Sequence, residues 1–316
     1  MSESIFERTH FGSDDAADIS VDQAEKVCAD GADTDESVAD RDFLELLSHV
    51  KNLMPDPDEE TDESDMDSDD YHNKAVGYAR RNKCREAAEI CQQGLRKFPF
   101  NVDLMADTIK YSSEAGDMQT ANDHYTALKT KVPFRCWNWR AFTFSFDYLL
   151  KADPIANADE CRTIISQYKK YLPHEEKACV AESELESALG RPDVSMDVLK
   201  EAIRTHTNAS QCALRLADMQ MDCGLFEDVL TTTNYGIAAS AEVQPSINVP
   251  YLYYIRTLAK DHLLHKKVYE GKPVTVDEVN ALSEEYKLLA SEFLELKRHA
   301  HTIGMRAKML KFIKAE

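Results

Sequence analysis

The sequence lacks the features that mark membrane, secreted and most enzymatic proteins. No apolar run approaches the roughly 18 residues that a membrane span requires. The first residues, Met1 to Glu7, contain no basic region followed by an apolar one, which argues against a secretory signal. There is no Gly-rich phosphate loop, no G-x-S-x-G and no H-E-x-x-H. We therefore expect a non-enzymatic cytoplasmic protein without a cofactor.

Paired metal ligands are also missing. The sequence has 8 cysteines but no C-x-x-C, and most of them fall at apolar helical positions, which predicts buried free thiols in a reducing compartment. Two histidine pairs, His262 with His265 and His299 with His301, lack a carboxylate or thiolate at ligand spacing. The sequence thus predicts no metal site.

Charge of one sign is concentrated at the N-terminus. Residues 1–70 contain 24 acidic and 4 basic residues, whereas residues 71–316 contain 33 of each, so the whole net charge of -20 falls on the first segment. A segment so charged and so poor in large apolar groups is expected to be a mostly disordered tail. Asp65, Asp67 and Asp69 alternate as in a calcium loop, but the required Gly and closing Glu are missing, so we expect no calcium site.

One stretch of this tail differs from the rest. Residues 41–54 carry apolar side chains at helical spacing and predict a short amphipathic helix that ends before Pro55. The side chains that would form its apolar stripe are Phe43, Leu46, Leu47, Val50 and Leu53. A helix this short is marginal alone in water, so it should form against another surface.

The stretch from Tyr71 to Pro133 reads as two copies of one helix-turn-helix unit. Pro99 and Pro133 close the copies and are 34 residues apart. Residues at matching distances before these prolines are alike, and Gly116 marks the turn between the two helices of the second copy. The residues expected to pack the repeats are Tyr71, Ala75, Tyr78, Ala87, Pro99, Ala121, Tyr125, Pro133 and Trp139.

This period and these residues resemble the tetratricopeptide-repeat family. The resemblance implies an all-α, right-handed α-solenoid, with about five helical hairpins over residues 71–240. Pro173 follows Pro133 by 40 residues, so the third hairpin carries a 6-residue insertion at its turn. Gly190 and Gly224 mark the turns of the fourth and fifth hairpins. Residues 241–316 predict an atypical C-terminal helical capping pair, whose last helix starts at Val276 and runs to Lys314 or breaks near Gly304.

In this family the first helix of each hairpin lines the binding groove. Some members hold a chaperone's C-terminal carboxylate there with a set of Lys, Asn and Arg side chains. This sequence departs from that set, because His72, Val76 and Asp107 stand at three of the positions. We therefore do not expect a carboxylate clamp of that type.

The most aromatic stretch, residues 134–148, leaves two interpretations open. On a helix, Trp139, Phe142 and Phe146 would share the core face, with Trp137, Phe144 and Tyr148 opposite. The second set is either additional core or a group of exposed anchors for a peptide. The groove residues that we predict to bind a partner are Trp137, Arg140, Phe144, Tyr148, His72, Arg80 and Lys110.

Three functional hypotheses follow from this pattern. The first is a protein-protein interaction module whose groove binds a peptide or helix of a partner protein, with the acidic tail competing for the groove. In the second, the tail helix is the effector that docks on another protein and the solenoid is its scaffold. The third is nucleic-acid binding by basic side chains in the first unit and the last helix, which the acidic tail disfavours.

Overall fold

The computed structural model describes residues 65–206, 209–241 and 248–313, and within these ranges all regular secondary structure is helical. It contains 13 α-helices with short 3-10 turns and no strand in those ranges. None of the described helices is long and apolar enough to cross a membrane. The described residues form two compact units, 65–173 and 174–313.

The first unit consists of consecutive helical hairpins. A 3-10 turn, Phe134–Cys136, precedes the fifth helix. Each helix packs on its neighbours in sequence, and α1, α3 and α5 also pack side by side. The helices are α1 Ser68–Arg80, α2 Cys84–Lys97, α3 Val102–Glu114, α4 Met118–Lys131, α5 Trp139–Ala152 and α6 Ala158–Tyr171.

The second unit repeats this arrangement, since α7, α9 and α11 pack in succession while α8 and α10 each contact both flanking helices. Its core runs without a break from Cys179 to Leu310, so its last helices share one core with its first. The helices are α7 Lys177–Ala188, α8 Pro192–Thr205, α9 Ser210–Asp222, α10 Phe226–Ala241, α11 Asn248–Tyr269, α12 Val276–Glu292 and α13 Ala300–Met309. The 3-10 turns Leu294–His299 and Leu310–Phe312 flank α13.

Hydrogen bonds of side chains to residues one repeat apart show the periodicity directly. A 34-residue period places residue i beside residue i+34 or i+35 of the next hairpin. Four contacts join residues 35 apart: His72 with Asp107, Asp103 with Asn138, Tyr125 with Glu160, and Glu176 with Gln211. The described helices therefore form a helical repeat, and its period continues into the second unit.

Helix starts are set by short polar side chains. The Asp67 carboxylate accepts hydrogen bonds from the backbone N–H groups of Asp69 and Asp70, and the Asp70 carboxylate accepts one from the backbone N–H of Asp67, which forms a capping box. Asp67 and Asp69 thus belong to a helix start. Asn101, Asp117 and Asn138 cap three further helices, each by accepting from the backbone N–H three residues later.

The turns within hairpins need a left-handed residue. Gly116 has φ +82°, and the backbone N–H of Asp117 then reaches the carbonyl oxygen of Ser112. Gly190 and Gly224, the turn residues expected from the sequence, have the same conformation, while the first hairpin uses Asn82 at φ +57°. A residue other than glycine in this region carries a conformational cost.

Two glycines inside second helices set how closely the helices approach. A Cβ at Gly94 of α2 would lie 2.8 Å from a side-chain carbon of Leu104 and 2.9 Å from one of Tyr71. In the second unit, a Cβ at Gly236 of α10 would lie 2.7 Å from that of Ala213 and 3.0 Å from a carbon of Leu252. In both units, a glycine lets the second helix pack against its own first helix and the following one.

Several expected boundaries differ in the structure. The first helix begins at Ser68, inside the predicted tail, because Met66 is buried and Lys97 donates a hydrogen bond to its carbonyl oxygen. The last long helix begins at Val276 as expected, but it ends at Glu292 and reaches neither Gly304 nor Lys314. The predicted helix at 41–54, with Phe43, Leu46, Leu47, Val50 and Leu53, lies outside the described residues.

Candidate functional site

The first helices of the first unit form one surface, which we call the first-helix surface of α1, α3 and α5. Its centre joins one side chain from each helix. Nδ1 of His72 lies 2.6 Å from Oδ2 of Asp107, and Nη1 of Arg140 lies 2.9 Å from Nε2 of His72. Because the guanidinium can only donate, Nε2 accepts, and the ring hydrogen on Nδ1 is donated to Asp107.

Asp107 is the buried end of this network. Its side chain is only 2% exposed, while that of His72 is 18% exposed. The carboxylate also affects a thiol behind it, since burial and the nearby Asp107 hold the pKa of Cys91 well above its usual range. Asp107 therefore faces inward, and the histidine and arginine present the polar edge of the network.

Three further contacts join α3 and α5 beyond this network. Asn138 donates a 2.7 Å hydrogen bond from Nδ2 to Oδ1 of Asp103, which ties the start of α5 to the start of α3. The ammonium group of Lys110 lies 4.9 Å from the centre of the Phe144 ring. At the far end of α5, Lys151 donates a 2.6 Å hydrogen bond to the carbonyl oxygen of Ser113. The helices are thus cross-linked by polar contacts along their length.

The expectation of exposed aromatic anchors is wrong for all three residues. Trp137, Phe144 and Tyr148 are 3%, 4% and 7% exposed. The helix begins at Trp139, so Trp137 precedes it, and its indole donates to the carbonyl oxygen of Val132. Tyr148 packs against α4, where its hydroxyl donates to Asn122. The alternative of additional core is the one observed.

Trp139 also differs from its expected role. We predicted it in the core, but it is only half-buried, and Arg140 lies over its ring at 5.4 Å. Its own ring meets Phe144 edge to face at 6.1 Å. Phe142 and Phe146, the other residues predicted on the core face, are buried, so Trp139 in the first turn of α5 is the exception on that face.

The remaining predicted residues divide between core and surface. Tyr71, Ala75, Ala87, Ala121 and Tyr125 are buried. Tyr78 is half-buried, while Pro99 and Pro133 are exposed between hairpins. Arg80 lies in the last turn of α1, further along the helix than His72. The structure thus brings His72, Arg140 and Lys110 onto the first-helix surface.

Sequence reasoning did not use Asp103, Asp107 and Asn138 as site residues. The usable signal was their spacing, because polar residues one repeat apart are placed side by side. His72 and Arg140 are 68 residues apart, which is two periods, and Asp107 lies 35 residues from His72. A search for polar pairs at the repeat period would have found this network.

The second unit has a comparable network around Asp261, whose side chain is 1% exposed. The hydroxyl of Tyr286 donates to Oδ2 at 2.7 Å, and Nη1 of Arg306 donates to the same oxygen at 2.9 Å. Nδ1 of His265 lies 2.8 Å from Oδ1 and donates to the Asp261 carbonyl oxygen at 2.9 Å. This network joins α11, α12 and α13.

The histidines of the second unit and the cysteines have structural surroundings. His262 stacks on Phe226 at 4.8 Å, and His299 packs against Tyr254 at 5.0 Å. All cysteines in the described part of the chain are unpaired, and Cys91, Cys161, Cys179 and Cys212 are buried. No group of three or more His, Cys, Asp or Glu among the described residues could hold a metal ion.

Comparison with known proteins adds no identification, since no protein-family model and no curated protein matches the sequence.

Proposed function

We propose that the chain is a non-enzymatic interaction module whose first-helix surface binds a peptide or helix of a partner protein. The observation that carries this proposal is the side-by-side packing of α1, α3 and α5. Such packing produces one continuous surface, and in helical-repeat proteins extended surfaces of this kind bind partners. We further infer that the hairpins form a right-handed, tetratricopeptide-type solenoid in a cytoplasmic protein.

The chemistry of this surface favours a ligand that supplies hydrogen-bond acceptors. Asp103 and Asp107 already accept from Asn138 and His72. Arg140, which donates to His72, and Lys110 bring two cationic groups to adjacent first helices. A carboxylate of a short acidic segment placed between them would gain charge-assisted contacts. The burial of Trp137, Phe144 and Tyr148 leaves anchoring to these polar groups and to the half-buried Trp139.

A displayed library of short random peptides, selected on the full-length protein, tests the proposal. We expect enrichment of acidic peptides. Charge reversal by Lys110→Glu should weaken their binding about tenfold or more, since it places like charges opposite each other. The matched control is Lys131→Glu on α4, which is exposed and lies on a second helix. It should leave binding unchanged.

Two results would contradict the proposal. One is the absence of any enriched peptide. The other is enrichment of peptides that bind the Lys110→Glu and Lys131→Glu variants equally well, since recognition would then lie elsewhere on the chain. Thermal unfolding of both variants, followed by circular dichroism, confirms that a lost interaction is not lost folding.

A further inference from the structure

The C-terminal end of the second unit exposes an apolar stripe, which we define as Met305, Met309 and Phe312. These side chains are 47%, 53% and 85% exposed. Their spacing of four and three residues places them on one side of α13 and of the turn that follows it. Ile303 and Leu310, on the other side, are each 1% exposed and belong to the core. The helix thus has an inner apolar face and an outer one.

Basic side chains accompany the stripe. Lys308 and Lys311 are exposed, and none of the ion pairs found among the described residues includes either of them. Residues 296–315 contain 6 basic residues and no acidic one. A symmetric contact of this stripe with its own copy would place like charges together, so the complementary partner is apolar and acidic.

Such a segment exists in this chain. Residues 41–54 carry Phe43, Leu47 and Val50 at helical spacing, within a stretch, 1–64, that has 20 acidic and 4 basic residues. Ten residues, 55–64, join this segment to the first unit and span at most about 36 Å. The segment is therefore tethered to the first unit, and the stripe belongs to the second.

We propose that the apolar stripe binds segment 41–54 of a second copy of the chain. An amphipathic helix in an apolar groove is a common recognition mode, and here acidic flanks would face Lys308 and Lys311. The contact joins different surfaces of the two copies, so a dimer keeps one free segment, on one copy, and one free stripe, on the other. This proposal does not depend on the function of the first-helix surface.

Sedimentation velocity of the full-length protein over a range of concentrations tests the contact. The mean mass should rise with concentration for the wild type. The stripe variant, Met309→Asp with Phe312→Asp, and the tail variant, Leu47→Asp with Val50→Asp, should each stay monomeric, with binding weakened by at least about tenfold. An equimolar mixture of the two variants should form one dimer and nothing larger, because it holds one intact stripe and one intact segment.

The control is Ile155→Asp, which changes an apolar residue of the first unit that is 76% exposed and should associate as the wild type does. A wild type that stays monomeric at every concentration would overturn the proposal. So would a stripe variant that associates normally, or a mixture of the two variants that stays monomeric. Equal circular dichroism spectra for all the proteins ensure that the comparison is between folded molecules.

Discussion

The two units each contain a buried aspartate, but they use it differently. In the first unit, Asp107 is joined to His72 and through it to Arg140, all three on first helices. In the second unit, Asp261 receives direct hydrogen bonds from Tyr286 and Arg306, which lie on two later helices. The first network lines a surface, and the second attaches α12 and α13 to α11.

This difference predicts unequal energetic roles. A buried carboxylate paired with a permanently charged arginine leaves an uncompensated charge when one partner is removed. A carboxylate that accepts from a histidine keeps its hydrogen bond in a weaker form when it becomes an amide, since the amide oxygen can still accept. The second network should therefore dominate stability, while the first should contribute more to surface geometry than to stability.

The largest effect is expected from Asp261→Asn. Loss of the charge opposite Arg306, whose side chain is 32% exposed, should destabilise the second unit by about 2–4 kcal/mol. Amide hydrogen exchange read by mass spectrometry measures this, because it reports α11 to α13 separately from the first unit. The control is Asp159→Asn, which removes an exposed pair with Arg162 and should change almost nothing. A loss below about 1 kcal/mol would show that the network is not a principal attachment.

The next largest effect is expected at the two glycines inside second helices, and it tests whether both units rely on close helix packing there. Gly94→Ala and Gly236→Ala should each destabilise their own unit by about 1–3 kcal/mol, because the added methyl group overlaps neighbouring side chains. Gly304→Ala is the matched control, since no atom lies within 4 Å of its Cβ position. It should stabilise α13 by roughly 0.5–1 kcal/mol through helix propensity. If hydrogen exchange shows the same change in stability for all three variants, Gly94 and Gly236 do not mark close contacts between helices.

A smaller effect is expected from Asp107→Asn in the first unit. The substitution keeps an acceptor for His72 and should cost about 1 kcal/mol of unfolding free energy. It should be clearly milder than Asp261→Asn when both are measured by the same exchange experiment. If Asp107→Asn proves the more harmful, the contrast between the two networks is wrong.

The smallest effect concerns pH and one histidine in each unit. Burial lowers the pKa of His124 in the first unit, and burial together with Arg306 lowers that of His262 in the second. In the unfolded chain these rings bind protons near pH 6.5, while the folded protein binds them only at lower pH. The unfolded state thus holds more protons, and stability falls as the pH decreases through about 6.5 towards the folded pKa values.

Thermal unfolding midpoints measured at several pH values from about 7 to 5 test this dependence, because the interval covers the usual pKa range of histidine. His262→Phe should flatten the slope, because the ring still stacks on Phe226 but no longer titrates. His124→Phe provides the corresponding test in the first unit. Slopes identical to the wild type in both variants would exclude these histidines as its source.

Sequence patterns were sufficient for the helices and for much of their order. Gly116, Gly190 and Gly224 marked turns correctly because only a residue that tolerates positive φ suits those positions. Trp137 was placed on a helix but precedes α5, because periodicity does not reveal where a helix starts. Asn138 decides that start by accepting from the backbone of Ala141. Phe142 and Phe146 are buried as predicted, but Phe144 and Tyr148 are buried as well, because α5 packs against α3, α4 and α6.

The candidate surface was only partly predictable. His72, Arg140 and Lys110 were predicted from their places on first helices; the structure brings His72 and Arg140 into contact and places Lys110 over the Phe144 ring. Asp107 was considered only as a departure from a family pattern, although it is the buried end of the network. Its role depends on which side of α3 meets α1, and this is a property of packing between helices.

The sequence by itself determined the all-helical character, the 34-residue period and the separation of an acidic N-terminal segment from a charge-balanced remainder. These are local or compositional properties, and they follow from side-chain spacing and charge. The tertiary structure decided which aromatics are buried, which aspartates are shared between helices, and which apolar side chains remain exposed at the end of the second unit. Burial and pairing depend on residues that are distant in the chain, and only their packing brings them into contact.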